Sequence, residues 1–357
     1  MASIILDRKK LEYNYKKLNR LFDDAGVQWS VVSKMLCGNK IYLQEVIRLG
    51  IKQFCDARIL NLKTIKEMVP DARTYLIKPP AKNNIKSVIR YADVSLNSSI
   101  KTLSMLSDEA VRQGKRHEVL IMVELGELRE GVMGHRIGTF FEKALLLPNI
   151  DIIGLGANLT CLNGVLPDSR KLGQLVRHKE MLEEKFDIKL PYLSGGASVT
   201  IPLLIEGELP LGINHFRIGE TLFFGTDVYN STLLQGMKYD IFTLEAQILE
   251  VSMKPMLPYG DMGNNMQGHR KEIDESLRGV SSNRALVDVG LLDVDIAHIK
   301  PNDDTVKILG VSSDMLVVDL GENKGHYNVG DLLTFSVDYM GALRLMASRY
   351  VSKTVKE

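Results

Sequence analysis

Cysteine is scarce in this sequence. Three in 357 residues, Cys37, Cys55 and Cys161, are too few for a disulfide framework, and no two stand at a metal-ligand spacing. No metal site is expected, and each cysteine reads first as a small buried hydrophobe. An excess of either charge is also missing. The 45 basic and 44 acidic side chains leave a net charge of +1, which excludes the basic footprint of a nucleic-acid binder and argues against a membrane-surface protein. No run approaches the roughly 18 apolar residues of a bilayer span. The start, Met1 to Lys10, has too short an apolar patch and the wrong charge order for a signal peptide, so a cytoplasmic location is expected. There is no internal repeat and no low-complexity segment. No Gly-x-Gly-x-x-Gly follows an early strand, which weakens a dinucleotide-binding reading.

What is present suits an ordinary globular protein: 45% apolar and 25% charged residues, with a length of about two domains or one large barrel plus an appendage. Short β-rich runs alternate with helical stretches over the first ~230 residues. The expected strands are Trp29–Lys34, Gln53–Ala57, Thr74–Lys78, Asp93–Asn97, Val119–Glu124, Ile152–Asn158, 192–194 and 215–218, with helices over 40–50 and Ile59–Met68 among them. Apolar strands alternating with helices imply parallel strands covered by helices. Eight such units predict an α/β fold of the (β/α)8 barrel type rather than an open sheet. After about residue 235 the texture changes. Phe242–Val251, Ala285–Val289, Met315–Leu320 and Asp331–Val337 read as strands of a mostly-β domain. The expected division is 1–235 for the barrel and 236–357 for the β domain. Gly260–Ser282 reads as a long loop, a kind of segment that often serves function.

In a parallel barrel the reactive groups lie where the strands end. The first strand ends in Ser33-Lys34-Met35-Leu36-Cys37-Gly38-Asn39. A lysine closing an apolar strand would be desolvated, which lowers its pKa and suits an imine-forming amine. The competing reading is a lysine that snorkels to the rim. The seventh and eighth strands lead into Ser194-Gly195-Gly196-Ala197-Ser198 and Arg217-Ile218-Gly219-Glu220-Thr221. Two neighbouring glycine loops there match the phosphate site of many barrels, and either alone reads equally as an ordinary turn. A lysine with a phosphate site points to pyridoxal phosphate.

Several motifs carry a family resemblance. Val-Val-Ser-Lys-Met-Leu-Cys-Gly-Asn at 31–39 resembles the lysine motif of the alanine racemase family, in the Lys-x-x-Cys-Gly form of its ornithine racemase branch. Gly-Leu-Gly-Ala-Asn at 154–158, Leu-Ser-Gly-Gly-Ala-Ser at 193–198, Phe-Arg-Ile-Gly-Glu at 216–220 and Asp-Tyr-Met-Gly-Ala-Leu-Arg-Leu-Met at 338–346 fit the same branch, in the family's order. The resemblance implies a pyridoxal-phosphate barrel with a C-terminal β domain, working as a homodimer with a shared active site. It implies that Lys34 holds the cofactor as an imine, and that Ser198 with backbone groups around Gly196, Gly219 and Glu220 holds the phosphate. Arg217 then faces the pyridine nitrogen, and Asn158 stands where alanine racemases usually carry a histidine. Arg129 matches an arginine that helps orient the substrate carboxylate; on its own it reads equally as a rim ion-pair partner. Tyr259 stands where the family places its second base, delivered by the partner subunit, with a turn aromatic as the plain alternative. Cys37 is the competing acid or base. Gly38 replaces a tyrosine of alanine racemases, and Tyr339 is a candidate for a phosphate-contacting hydroxyl. Met122 replaces a lysine that some members carbamylate, so no such modification is expected.

The chemistry fits racemisation. A proton leaves Cα and one returns to the opposite face, which needs two bases. An arginine stays protonated and keeps the pyridine nitrogen unprotonated, which favours proton exchange over transamination. Related barrel decarboxylases place a carboxylate there and bring a cysteine from the β domain, which here has none. The expected activity is an amino-acid racemase for ornithine or another basic amino acid, with alanine or serine as alternatives. A cofactor-carrier protein and a barrel aldolase or epimerase are the other readings. A basic substrate needs an acid for its distal ammonium, and Asp261, Asp293, Asp295 and Asp314 are the candidates. Asp314 falls in the segment that lines the substrate side in the family.

Overall fold

The computed structural model describes residues 2–264, 268, 270 and 272–357. It divides into two compact units, one of Lys9–Tyr239 and one of Met1–Arg8 with Asp240–Glu357.

The first unit is a parallel barrel. With β1 (Ser3–Asp7) belonging to the other unit, its strands are β2 (Gln28–Val32), β3 (Gln53–Asp56), β4 (Arg73–Leu76), β5 (Val94–Asn97), β6 (His117–Glu124), β7 (Ile150–Gly156), β8 (Tyr192–Ser194), β9 (Gly196–Ala197) and β10 (His215–Ile218). Each pairs in parallel with its neighbour, from β9 through β10 and β2 round to β8. The two ends of that path, β8 and β9, are one strand interrupted at Gly195, so the sheet returns on itself as eight staves. The eight expected strands are all there, with bounds shifted by up to about two residues, and 192–194 and 215–218 match. Helices follow them, as the alternation required. The helix over Arg8–Asp24 shows why such segments dock: Leu11, Asn14, Leu18 and Phe22 share one buried face. Each apolar member contributes roughly 1.5–3 kcal/mol. Asn14 is tied down by donating to the Leu222 and Lys238 carbonyls and accepting the Lys238 N–H.

The second unit is an antiparallel sheet. Its path runs β13 (Ile299–Pro301), β16 (Leu332–Val337), β11 (Phe242–Pro255), β12 (Ser281–Val287), β15 (Leu316–Gly321), β14 (Lys307–Val311). Phe242, Leu244, Ala246 and Ile248 alternate inward, while the Thr, Glu and Gln between them stay partly exposed. Three features differ from the sequence expectation. Strand β1 pairs antiparallel with β11 and parallel with β17 (Ser352–Lys356), so residues 3–7 join this sheet and not the barrel. A helix spans Tyr339–Ala347, capped by the Asp338 carboxylate on the Gly341 N–H. The expected loop over 260–282 ends at residue 280, just before β12 begins at Ser281, and includes a short turn at Glu275–Leu277. Residues 265–267, 269 and 271 of that loop lie outside the described residues. No described helix is long and apolar enough to cross a membrane.

Candidate active site

Strand β2 ends at Val32, and the chain turns through Lys34–Leu36. Met35 and Leu36 are buried and anchor that turn. Cys37 (φ 50) and Gly38 (φ 71) close it in the left-handed region. At Gly38 an added Cβ would meet Asn61 Oδ1 at 2.8 Å, so both the dihedral and the space call for glycine. Beneath the turn lies Asp56, fully buried at the end of β3. It accepts the Ser33 hydroxyl at 3.0 Å, the Asn61 amide at 3.0 Å and the Arg58 N–H at 2.8 Å. Burial pushes its carboxyl up to about 6, against these hydrogen bonds.

The structure corrects two sequence expectations here. Lys34 is exposed in the single chain, so the expected desolvation of its ammonium is not supplied by this chain. Cys37 and Cys161 are exposed, and only Cys55 is a buried small hydrophobe, its thiol pushed up to about 12 by burial. The cause is position: Cys37 sits in the turn past β2 and Cys161 in the loop past β7, both at the open rim.

Across the barrel end, β10 presents Arg217, 5% exposed. Its Nη1 donates to the Ser194 carbonyl at 3.0 Å and to Ser194 Oγ. Its Nη2 donates to the Ala157 carbonyl at 2.6 Å and to Asn158 Oδ1 at 2.8 Å. All Nη hydrogens are therefore engaged, while Nε–H is bonded to none of the described residues. Asn158 uses its amide to donate to Glu130, and Arg129 forks onto the same carboxylate. That pairing pushes the Arg129 pKa up. Glu130 thus links Arg129 to Arg217 through Asn158, a role no sequence pattern signalled.

Next to Arg217, Ser198 Oγ is almost fully buried and accepts the Gly219 N–H at 3.4 Å and the Thr221 N–H at 3.3 Å. Gly219 packs on Val32, where an added Cβ would lie 3.1 Å from the valine Cβ. That close approach sets this amide beside the strand that leads to Lys34. Glu220 follows, half-buried, as the first residue of the helix Glu220–Phe224. Gly196 has a different reason for being glycine: its Cβ would fall 2.2 Å from the Phe216 ring.

The loop past β7 is held by Glu127, 1% exposed. This carboxylate accepts the backbone N–H groups of Thr160, Cys161, Leu162, Asn163 and Val165. Burial raises its pKa, but the amides win and hold it at about 2. Its folded pKa lies below the ordinary carboxylate value of ~4.3. The stabilisation is therefore complete above that value and is lost only as pH falls through about 2. In Glu127→Gln an amide N–H₂ confronts backbone donors. We expect a loss of about 3 kcal/mol in denaturant titration and loss of hydrogen-exchange protection confined to residues 160–165.

Tyr259, Asp314 and Tyr339 belong to the β unit. Tyr259 is 92% exposed. Tyr339 is half-buried in the first turn of its helix, and Asp314 is exposed, accepting the Ser313 hydroxyl. Of the other candidate acids, Asp293 accepts the Ser348 hydroxyl, Asp295 caps the Ala297 N–H, and Asp261 is exposed. Among the described residues no cluster of His, Cys, Asp and Glu could hold a metal ion.

A parallel barrel carrying a lysine past its first stave, backbone amides converging past its last two and a buried arginine between them has the layout of a barrel pyridoxal-phosphate enzyme. The fold superposes on alanine racemase from Bartonella henselae with covalently bound pyridoxal phosphate at a TM-score of 0.74, 15% identical, covering 99% of each chain. The family profile for the alanine racemase N-terminal domain matches residues 6–227. The chain is 35% identical to ornithine racemase of Acetoanaerobium sticklandii over 98% of both sequences. It is 29% identical to lysine racemase of Thermotoga maritima over 98% of this chain and 97% of that one. The chain belongs to the alanine racemase family and is a racemase that uses pyridoxal phosphate.

The residues present fit that cofactor. An unprotonated pyridine nitrogen is an acceptor, and the Arg217 Nε–H is the donor its own protein partners leave over. The Gly219 and Thr221 amides, at long distances to Ser198 Oγ, are donors that a phosphate can draw on.

Proposed function

We propose that this enzyme interconverts the L and D forms of a basic amino acid, ornithine foremost and lysine next, by exchanging the Cα proton. The observation that carries the reading is Arg217, a buried cation with one donor left over, together with Lys34 at the neighbouring strand end. The names of the two full-length relatives support the substrate class. The bound cofactor delocalises the charge left when the Cα proton departs. Lys34 would anchor it covalently, and its Nζ would take or return the Cα proton on one face. Arg217 keeps the pyridine nitrogen unprotonated, with Asn158 completing its hold. Ser198, Gly219 and Glu220 would hold the phosphate. Arg129 orients the substrate carboxylate, and Asp314 is the leading acid on the substrate side.

The second base in this reading is Tyr259 from a second subunit. Its 92% exposure leaves the side chain available to another chain. The enzyme is accordingly read as a cytoplasmic homodimer in which the β domain, with the 260–282 loop, completes the site of the other subunit's barrel.

The test is incubation of each enantiomer of ornithine, lysine and alanine in heavy water. Deuterium at Cα with decay of optical rotation is expected, fastest for the basic pair. No exchange with any amino acid sinks the proposal. Tyr259→Phe should block exchange from one enantiomer far more than from the other.

Glu130 gives a second check. Glu130→Gln removes the charge that holds Arg129 and weakens its grip on Asn158. Losing one charge-assisted hydrogen bond predicts a roughly tenfold rise in KM with little change in thermal midpoint. An unchanged KM would show that Arg129 acts elsewhere.

A further inference from the structure

Barrel interiors are ordinarily filled by layers of branched aliphatic side chains. One side of this interior is polar instead. His215 lies two residues before Arg217 on β10, so both side chains point inward. It is fully buried, with Nδ1 2.7 Å from Ser194 Oγ and Nε2 2.8 Å from Ser30 Oγ. Its ring stacks on Tyr75 at 5.5 Å between centroids, and Tyr192 meets it edge-on at 5.8 Å. These contacts fix its plane.

With Gln53 oriented to accept, counting hydrogens gives the tautomer. Arginine only donates, so Ser194 Oγ is an acceptor towards Arg217. At the other end, Ser30 and Tyr75 both give their hydroxyl hydrogens to Gln53 Oε1, each at 3.1 Å. Ser30 Oγ therefore accepts from Nε2–H, and Nδ1 accepts the Ser194 hydroxyl. This assignment leaves no hydrogen in the relay unused. A second proton on His215 would set Nδ1–H against an oxygen already held by a cation. Burial, with Arg217 and Arg73 nearby, pushes the His215 pKa down to about 3, in keeping with a neutral ring.

We infer that His215 is a positioning residue: by taking the Ser194 hydroxyl hydrogen it turns the Ser194 lone pairs onto Arg217 and holds the guanidinium with Nε–H presented to the cofactor's ring nitrogen. The inference rests on the proposed role of Arg217. Without the imidazole, the Ser194 hydroxyl loses its acceptor and is free to turn, beside a guanidinium that also depends on the Ser194 and Ala157 carbonyls. The guanidinium then loses its fixed angle. The ring nitrogen is less firmly kept unprotonated, and protons return more often to the cofactor than to Cα. Each such event moves the amino group from substrate to cofactor and, on hydrolysis, releases the 2-oxo acid.

The test compares holoenzymes carrying His215→Leu, His215→Asn and Ser194→Ala. Asparagine offers an oxygen near the Nδ1 position and leucine does not. Two quantities are read: the visible absorbance band of the cofactor in the substrate-free protein, and 2-oxo acid formed per Cα exchange event. His215→Leu and Ser194→Ala should shift the band and raise the ratio about tenfold, the effect of one hydrogen bond, while His215→Asn stays near the parent. A parent-like band and ratio in both His215→Leu and Ser194→Ala overturns the inference. If His215→Leu does not fold, Ser194→Ala against His215→Asn decides it. If no amino acid is exchanged by the parent, the substrate reading fails, and the band alone still judges His215.

Discussion

Lys34→Ala loses the visible absorbance of bound cofactor and more than ~10³-fold of Cα exchange with every amino acid. On the proposed reading two functions leave with one side chain: covalent anchoring, and proton transfer on one face, which alone contributes typically 10²–10⁴-fold. The fold should hardly notice. Lys34 is exposed, and its turn is held by buried Met35 and Leu36 above the Asp56 hydrogen bonds. Stability should therefore stay within about 0.5 kcal/mol of the parent. A variant that exchanges protons at the parent rate would mean that another group carries the chemistry.

Arg217→Ala has the opposite profile, a large stability loss together with changed chemistry. Its guanidinium satisfies the Ser194 and Ala157 carbonyls and the Asn158 and Ser194 side-chain oxygens in a buried place. Leaving these acceptors empty costs about 3–5 kcal/mol, read by denaturant titration. In whatever holoenzyme forms, water can protonate the ring nitrogen. Conversion of the cofactor to its amine form during turnover should then rise well above the parent level. Arg217→Lys should not restore the parent behaviour, because one ammonium cannot reproduce the planar fork. A variant that keeps both stability and product ratio would remove Arg217 from the argument.

The barrel was legible because its strands are buried on both faces and so stand out as apolar runs between helices. The three candidate strand ends were legible because a lysine and two glycine loops interrupt such runs. Strand β1 was not. Its five residues carry no sign of partners some 240 and 350 positions away. Cysteine exposure was not legible either, because residue type alone does not say that Cys37 and Cys161 stand in rim turns. Glu127 and Glu130 gain their roles only when the loops past β6 and β7 meet. His215 could have been found, since a histidine and an arginine two apart in an apolar strand share one face. Asp56 offered a weaker signal, as an acid closing an otherwise apolar strand.

The pairing of β1 with β17 has a consequence for how the protein is made. Ser3 lies beside Ser352 and Asp7 beside Lys356. A ribosome releases all of the barrel's staves before it supplies the strand that covers the opening segment. Chains fold largely in the order they emerge, and contacts between distant segments form slowly. Residues 3–7 must therefore wait for one neighbour until β11 emerges and for the other until β17 does. A pause in translation before β17 emerges would hold the nascent protein with a finished barrel and an unfinished second sheet, whose open strand edge a chaperone could bind.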